Sequence, residues 1–261
     1  MEKKELIFAE ERKKMILDLL KENKKLLVPE LCSHFAVSPA TIRNDLRELE
    51  SEGLLKRTHG GALSNNKAGY EPDSYQKGVR CLEEKQAIAR FAAGLVEDGD
   101  TIAVDTGTTT LEFVKLLREK KNLTVVTNDI AISRYLEDYC DANIILAGGI
   151  IRKNFHCTVG SIALQSLEEL YVDKAFMGAN GLTVEKGLTT PDINQAQVKK
   201  AIIRIASETI VLCDSSKIGG FAFAQVIPVA QIDRIITDNG IDKKDLKAIE
   251  EKEIQVDVIT L

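Results

Sequence analysis

From residue 82 onward the chain alternates short β-branched runs with amphipathic helical runs, and this alternation constrains the fold more than any other feature. T-I-A-V-D, L-T-V-V-T, N-I-I-L-A, D-K-A-F-M and T-I-V-L-C-D read as strands. T-T-L-E-F-V-K-L-L-R-E, D-I-A-I-S-R-Y-L-E and Q-A-Q-V-K-K-A-I-I-R-I-A-S read as helices among them. Such alternation predicts an α/β body built on a mostly parallel sheet with both faces covered. Ligands of such sheets bind beyond the carboxyl ends of the strands.

The residues at those ends are small, polar or basic. The first strand runs into D-T-G-T-T-T, with Asp105, Thr106, Gly107, Thr108 and Thr109. The second meets Asn128 and Asp129, and the third meets Gly148, Gly149 and Arg152. The fourth leads into G-A-N-G-L-T-V-E-K-G-L-T-T, with Asn180 and Lys186, and the fifth into D-S-S-K-I-G, with Lys217. A helix starting at Thr109 offers backbone N–H groups and a favourable dipole to an anion. Gly107 allows close approach, the threonines add hydroxyls, and Lys217 supplies compensating charge. Each loop alone reads equally well as a capped helix start, a tight turn or a solvated loop. Five of them at successive strand ends predict a small, polar, anionic ligand.

The first sixty residues are different. Met15, Ile16, Leu19 and Leu20 recur at helical spacing, and Pro29 in V-P-E-L-C-S-H-F opens a second helix. S-P-A-T-I-R-N-D-L-R-E-L-E-S-E-G predicts a third, with Ser38 as N-cap, Pro39 first and Gly53 as stop. Ile42, Leu46 and Leu49 form its buried stripe. Ala40, Asn44 and Arg47 lie opposite, Arg43 flanks them, and Ser38 and Thr41 complete the face at the helix start. Arginine matches guanine and asparagine matches adenine in a major groove. Leu54 and Leu55 begin a hairpin turning at Gly60-Gly61, whose Lys56, Arg57 and His59 suit backbone phosphates. The order is that of a helix-turn-helix with a basic wing. The plainer reading is a helical docking domain with a solvated charged face; the cap, stripe, face and wing together favour DNA.

Charge agrees with this division. Residues 1–62 hold 12 basic and 11 acidic residues, and the remainder 23 and 29, within a net charge of −5. Cys32, Cys81, Cys140, Cys157 and Cys213 are odd in number and scattered, which argues against disulfides and zinc. His34, His59 and His156 lack metal-ligand spacing, so neither metal nor cofactor is expected. No apolar run approaches the roughly 20 residues of a membrane span, and M-E-K-K-E-L is not a signal peptide. A cytoplasmic protein without membrane contact is expected. The expected domains are a DNA-binding head over 1–62, a linker over 63–75, rich in Asn, Gly, Ser and Pro, and a body over 76–261.

Residues 37–62, V-S-P-A-T-I-R-N-D-L-R-E-L-E-S-E-G-L-L-K-R-T-H-G-G-A, resemble the winged-helix signature of DeoR-family transcriptional regulators. Asn44 stands where that family more often has arginine. D-T-G-T-T-T, V-V-T-N-D, L-A-G-G, T-V-G, M-G-A-N-G-L, G-L-T-T, L-C-D-S-S-K-I-G and I-D-R-I-I-T-D follow in the order of the family's sensor domain. The resemblance implies a repressor of a sugar-catabolic operon, bound to double-stranded operator DNA and controlled by a phosphorylated sugar or related metabolite. It also implies kinship with ribose-5-phosphate isomerase. A homo-oligomer, dimer or tetramer, is expected because paired recognition helices match a palindromic site.

The isomerase carries D-G-A-D and a glutamate base, as proton movement between adjacent carbons requires. Here the stretch is M-G-A-N, with Met177 and Asn180, and the next helix reads N-Q-A-Q-V-K-K-A. The lysine of the isomerase's D-x-S-K turn is kept as Lys217. This pattern predicts a sensor without enzymatic chemistry. The alternative is a sugar-phosphate isomerase or transferase with an appended regulatory domain, using Asp105, Asp129, Glu185 or Asp192 as base.

Overall fold

The apolar repeat near the N-terminus becomes helix α1 (Ala9–Asn23), which buries Ile16 and Leu20 and half-buries Met15 and Leu19. The structure, a computed structural model, describes residues 8–23, 25–51, 54–64 and 69–261. Strand β1 (Lys25–Leu27) and helices α2 (Val28–Phe35) and α3 (Pro39–Ser51) follow, then strands β2 (Leu55–Thr58) and β3 (Gly61–Ser64). Ala36 ends α2 in the left-handed conformation with φ 55°. The Ser38 hydroxyl accepts from the Thr41 N–H at 3.1 Å, which caps α3. The expected stop at Gly53 lies outside the described residues.

Ile42, Leu46 and Leu49 are buried with Leu31, Phe35 and Leu55. Asp45 lies on the same buried stripe. Its carboxylate receives Arg12 bidentately, Nε to Oδ2 at 2.6 Å and Nη2 to Oδ1 at 3.0 Å, clamping α1 to α3. The wing has a strand that was not expected. β1 pairs antiparallel with β3, giving a three-stranded order β1-β3-β2. Gly61 permits this, since a Cβ there would lie 2.0 Å from the Leu26 carbonyl oxygen.

The second unit begins at Asp73; the division falls between Met1–Pro72 and Asp73–Leu261. Its first elements are α4 (Ser74–Gly78), α5 (Leu82–Ala93), β4 (Thr101–Val104), α6 (Thr108–Val114), β5 (Leu123–Thr127), α7 (Ile130–Tyr139) and β6 (Ala142–Leu146). Next come β7 (Ile150–Arg152), β8 (Cys157–Val159), α8 (Ser161–Gln165), β9 (Val172–Gly178), β10 (Gly181–Thr183) and β11 (Gly187–Thr190). It finishes with α9 (Ile193–Arg204), β12 (Ala206–Leu212), β13 (Ala224–Ile227), β14 (Arg234–Asp238), α10 (Lys243–Glu250) and β15 (Gln255–Ile259). Seven strands form one sheet in the order β15-β14-β12-β9-β4-β5-β6, and every pairing in it is parallel.

Strand alternation divides the core between the sheet's two faces. Ile102, Val104, Phe176, Ile210 and Leu212 pack in the cluster containing α5–α7, where Phe113 meets Phe176 at 4.3 Å between ring centroids. Ala103, Ala175, Met177, Val211 and Cys213 pack in the cluster containing α9. Two elements beside the main sheet fall where the sequence suggested loops. The long loop after β9 folds into the antiparallel pair β10-β11, which β13, arriving after β12, extends to three strands, and β7 and β8 form a hairpin. Among the described residues, no helix is long and apolar enough to cross a membrane.

Ordered structure enters the stretch read as a linker. β3 continues to Ser64, and α4 starts at Ser74 behind a capping box. Asp73 accepts from the Gln76 N–H at 2.8 Å, while the Gln76 side chain accepts from the Asp73 N–H at 3.3 Å. A fragment starting at Asp73 is therefore expected to fold cooperatively alone. One starting at residue 76 loses this cap, worth about 0.5–2 kcal/mol, and α4 should exchange its amide hydrogens faster. Hydrogen exchange on the two fragments checks this.

Candidate functional site

On the head, Ser38, Ala40, Arg43, Asn44 and Arg47 are exposed along α3, and Thr41 is half-buried. The Ser38 and Thr41 hydroxyls lie 2.9 Å apart. Arg47 Nη1 donates to Asn44 Oδ1 at 3.0 Å, so the two expected base readers orient each other. Lys56 and His59 are exposed on the wing. Arg57, expected to serve phosphates beside Lys56, is exposed as well and is tied to α3. Its Nε sits 2.9 Å from Glu50 Oε2, and its backbone N–H donates to Glu50 Oε1 at 2.8 Å. A cleft of about 360 Å³ separates helix from wing, lined by Arg43, Glu50, Arg57 and His59.

In the body the five loops follow β12, β9, β4, β5 and β6, which are consecutive in the sheet, so they form one rim. Its members lie at different depths. Gly107 is extended and caps α6, which begins at Thr108, one residue before the expected start. Thr108 is half-exposed, while Thr109 is buried. Thr106 is buried, with its hydroxyl donated to Asp129 Oδ2. Asp129 Oδ1 caps α7, accepting from the N–H groups of Ala131 at 2.8 Å and Ile132 at 3.0 Å. Burial pushes the Asp129 carboxyl above its ordinary pKa, opposed by these bonds. Asn128 is buried and binds the β8 backbone, donating to the Thr158 carbonyl at 3.0 Å.

Gly148 and Gly149 turn the chain from β6 into β7. At Gly149, with φ 135°, a Cβ would meet the Val159 carbonyl oxygen at 2.7 Å. Arg152 is half-buried. Its Nη1 donates to Gln195 Oε1 at 2.7 Å, its Nε lies 3.4 Å from Asp192 Oδ2, and its guanidinium covers the Phe155 ring at 3.9 Å. Lys77 approaches the same ring at 5.2 Å. Asn180 accepts from the Thr190 hydroxyl at 3.0 Å. Glu185 and Lys186 are exposed in the β10–β11 turn. Lys217 is half-exposed, 3.0 Å from the Ser216 hydroxyl and 3.8 Å from the buried Asp214.

Asp105, read as a rim residue, lies beneath the rim with no exposed surface. Its Oδ2 accepts from Lys199 Nζ and from the Gly178 N–H at 2.9 Å. Lys199 also donates to the Gly178 carbonyl at 2.9 Å. Burial pushes the Asp105 carboxyl upward, and the Lys199 ammonium opposes that shift. The sequence reading missed Lys199, Gln195 and Lys85. Lys85 is buried, donates to the Lys77 and Arg80 carbonyls, and is pulled below its ordinary pKa by desolvation. The missed signal was phase: Gln195, Ala196, Lys199 and Ile202 share the buried side of α9, so a charge there required a partner. Among the described residues, no cluster of His, Cys, Asp and Glu could hold a metal.

A winged helix-turn-helix unit followed by an α/β body with a polar rim defines a two-part transcriptional regulator. Residues 12–68 match the DeoR-like helix-turn-helix domain, and residues 80–239 match the DeoR C terminal sensor domain. The chain belongs to the DeoR family of transcriptional regulators. It is 34% identical to the HTH-type transcriptional regulator GolR of Listeria innocua over 97% of this chain and 99% of that one. It is also 34% identical to the transcriptional repressor AccR of Agrobacterium fabrum, over 89% and 90%. A solved D-ribose-5-phosphate isomerase in complex with phospho-erythronic acid aligns over 52% of this chain and 54% of its own, with TM-score 0.40 and 23% identity.

Removing one partner of a buried ion pair strands the other. Lys199→Met should therefore destabilise the body by about 3–5 kcal/mol, whereas Lys199→Met with Asp105→Leu should recover most of the loss. Urea unfolding of the two variants measures the difference.

Proposed function

We propose that this regulator reads double-stranded operator DNA with the exposed face of α3 and responds to a small phosphorylated sugar held at the body's rim. Arg43, Asn44 and Arg47, with Ser38, Ala40 and Thr41 at the helix start, meet base edges and nearby backbone. Lys56, Arg57 and His59 meet phosphates from the wing. The first-turn N–H groups of α6 have no intrahelical partners, and with the Thr108 hydroxyl and the Lys217 ammonium they suit a phosphate. Gly107, Thr109, Gly148, Gly149, Arg152, Asn180 and Lys186 shape the site around it. The relatives' description as regulators and repressors supports this reading, and the protein would act in the cytoplasm as at least a dimer.

The observation that carries the sensing role is the commitment of the acids at the strand ends. Asp105 is paired with Lys199, Asp129 and Asp192 cap α7 and α9, and Asp192 also faces Arg152. A general base must reach the proton it removes, and these three carboxylates are held by helix ends and cations. We therefore read the rim as binding its anion without turnover. Incubation with candidate sugar phosphates should return them unchanged, while the ones that bind raise the melting temperature.

On operator DNA, Arg47→Ala should cost about 1–3 kcal/mol and relax preference at one base position. Lys56→Ala should weaken all sequences alike and reduce the salt slope by about one. Titrations over operator variants and salt distinguish the two outcomes, and unchanged affinity in Arg47→Ala would remove α3 from the groove. In the same assay Lys217→Ala should bind operator normally without effector. It should lose most of the response to the sugar phosphate found in the thermal screen, and more of it than Thr108→Ala does, because charge-assisted bonds are stronger.

A further inference from the structure

We propose that Glu50 is a positioning residue for DNA binding: it fixes the wing against α3 and aims the Arg57 guanidinium at a backbone phosphate. This role rests on α3 and the wing being the DNA surface proposed above. Glu50 follows Arg43 by seven residues and Arg47 by three, so it shares their side of the helix. A carboxylate on that side faces phosphates of its own sign. Among the described residues that line the cleft between helix and wing, Arg43, Arg57 and His59 can carry positive charge, and Glu50 alone is acidic.

The carboxylate is engaged twice. Oε1 accepts the Arg57 backbone N–H at 2.8 Å, and Oε2 lies 2.9 Å from Arg57 Nε. β2 is an edge strand, paired with β3 alone among the described residues, so Glu50 supplies an acceptor where a further strand would. Along β2 only Leu55 is buried; Lys56, Arg57 and Thr58 are exposed. The apolar core therefore holds this strand at its start, and Glu50 holds it further out. The two side chains are 37% and 39% exposed. Ion pairs open to solvent to that extent add little net stability, so stability does not account for the arrangement.

What the geometry does supply is direction. Glu50 meets the guanidinium at Nε, beside the stem, while the Nη groups form the far end. Among the described residues no second acid pairs with Arg57. An arginine held this way is already ordered in the free protein, so little freedom is lost when it meets a phosphate. The pairing also neutralises the acid and so relieves its repulsion of the duplex. Phosphate contacts fix a protein's register on DNA. A wing tied to α3 presents base readers and phosphate contact at one spacing.

The test titrates the full chain onto a fluorescein-labelled duplex of mixed sequence at several salt concentrations, with circular dichroism to confirm folding. Glu50→Gln keeps an acceptor for the Arg57 N–H and removes the charge that holds Nε. Charge alone predicts tighter binding by this variant, since an acid has left a surface that meets phosphates. Positioning predicts binding weaker by roughly two- to tenfold, the scale of ordering one long side chain. The salt slope should move toward that of Arg57→Ala, which lacks the phosphate contact. In the Arg57→Ala background the sign should reverse: adding Glu50→Gln should tighten binding, because only the charge effect is left. If Arg57→Ala itself leaves affinity and salt slope unchanged, the wing is off the DNA, and the DNA reading of the wing falls together with the role of Glu50. If Arg57→Ala weakens binding but Glu50→Gln does not, the DNA reading stands and the positioning role alone is overturned. Weaker or unchanged binding on adding Glu50→Gln to Arg57→Ala overturns it as well.

Discussion

The pairing of Asp105 with Lys199 is the interaction on which the sensor body depends. It sits at the middle of the sheet, where β4 and β9 end side by side, and it reaches the Gly178 N–H and carbonyl as well as α9. Replacing such a pair with apolar residues of similar volume is often neutral or stabilising, so net stability does not explain it. We read its contribution as register. One oxygen of one carboxylate fixes where β4 stops, where β9 stops and how α9 is rotated, and the rim loops start from those points. Lys199→Met in a chain that stays folded would test this, through the positions of the rim amides in NMR spectra.

The head repeats the device with Arg12 and Asp45. In both units a charge stands at a helical phase otherwise given to apolar residues: Asp45 among Ile42, Leu46 and Leu49, and Lys199 among Ala196 and Ile202. That signal is visible in the sequence, but the partner's identity is not. Arg12 and Asp45 are 33 residues apart, and Asp105 and Lys199 are 94 apart. Nothing local connects them.

The same distinction governs the rest of the sequence reading. β4, β5, β9 and β12 were legible because a strand buried on both faces of a parallel sheet must be apolar throughout. The three-residue β1, the small β10-β11-β13 sheet and the Asp257-bearing β15 were not, because strands this short or this polar borrow their stability from neighbours. At the rim, the side-by-side arrangement of loops followed from the strand pattern. Depth did not, and depth separates Asp105 and Asn128 from Thr108 and Lys217. There is a physical reason that acids at these loops are occupied. A loop leaving a strand for a helix passes through the helix N-cap, where a carboxylate meets free N–H groups and a favourable dipole. Asp129, Asp192 and Asp214 all stand at such points.

The strand order also sets a timetable. The head's sheet is complete once Ser64 has been added, whereas β4 in the middle of the large sheet lies beside β9, which in turn needs β12, ending at Leu212. Domains generally fold as units during synthesis, N-terminal first, at about 5–20 residues per second. The ribosome therefore releases a foldable head on the order of ten seconds before the centre of the body can close. A message cut between those two points would make a reader of DNA that no metabolite can address.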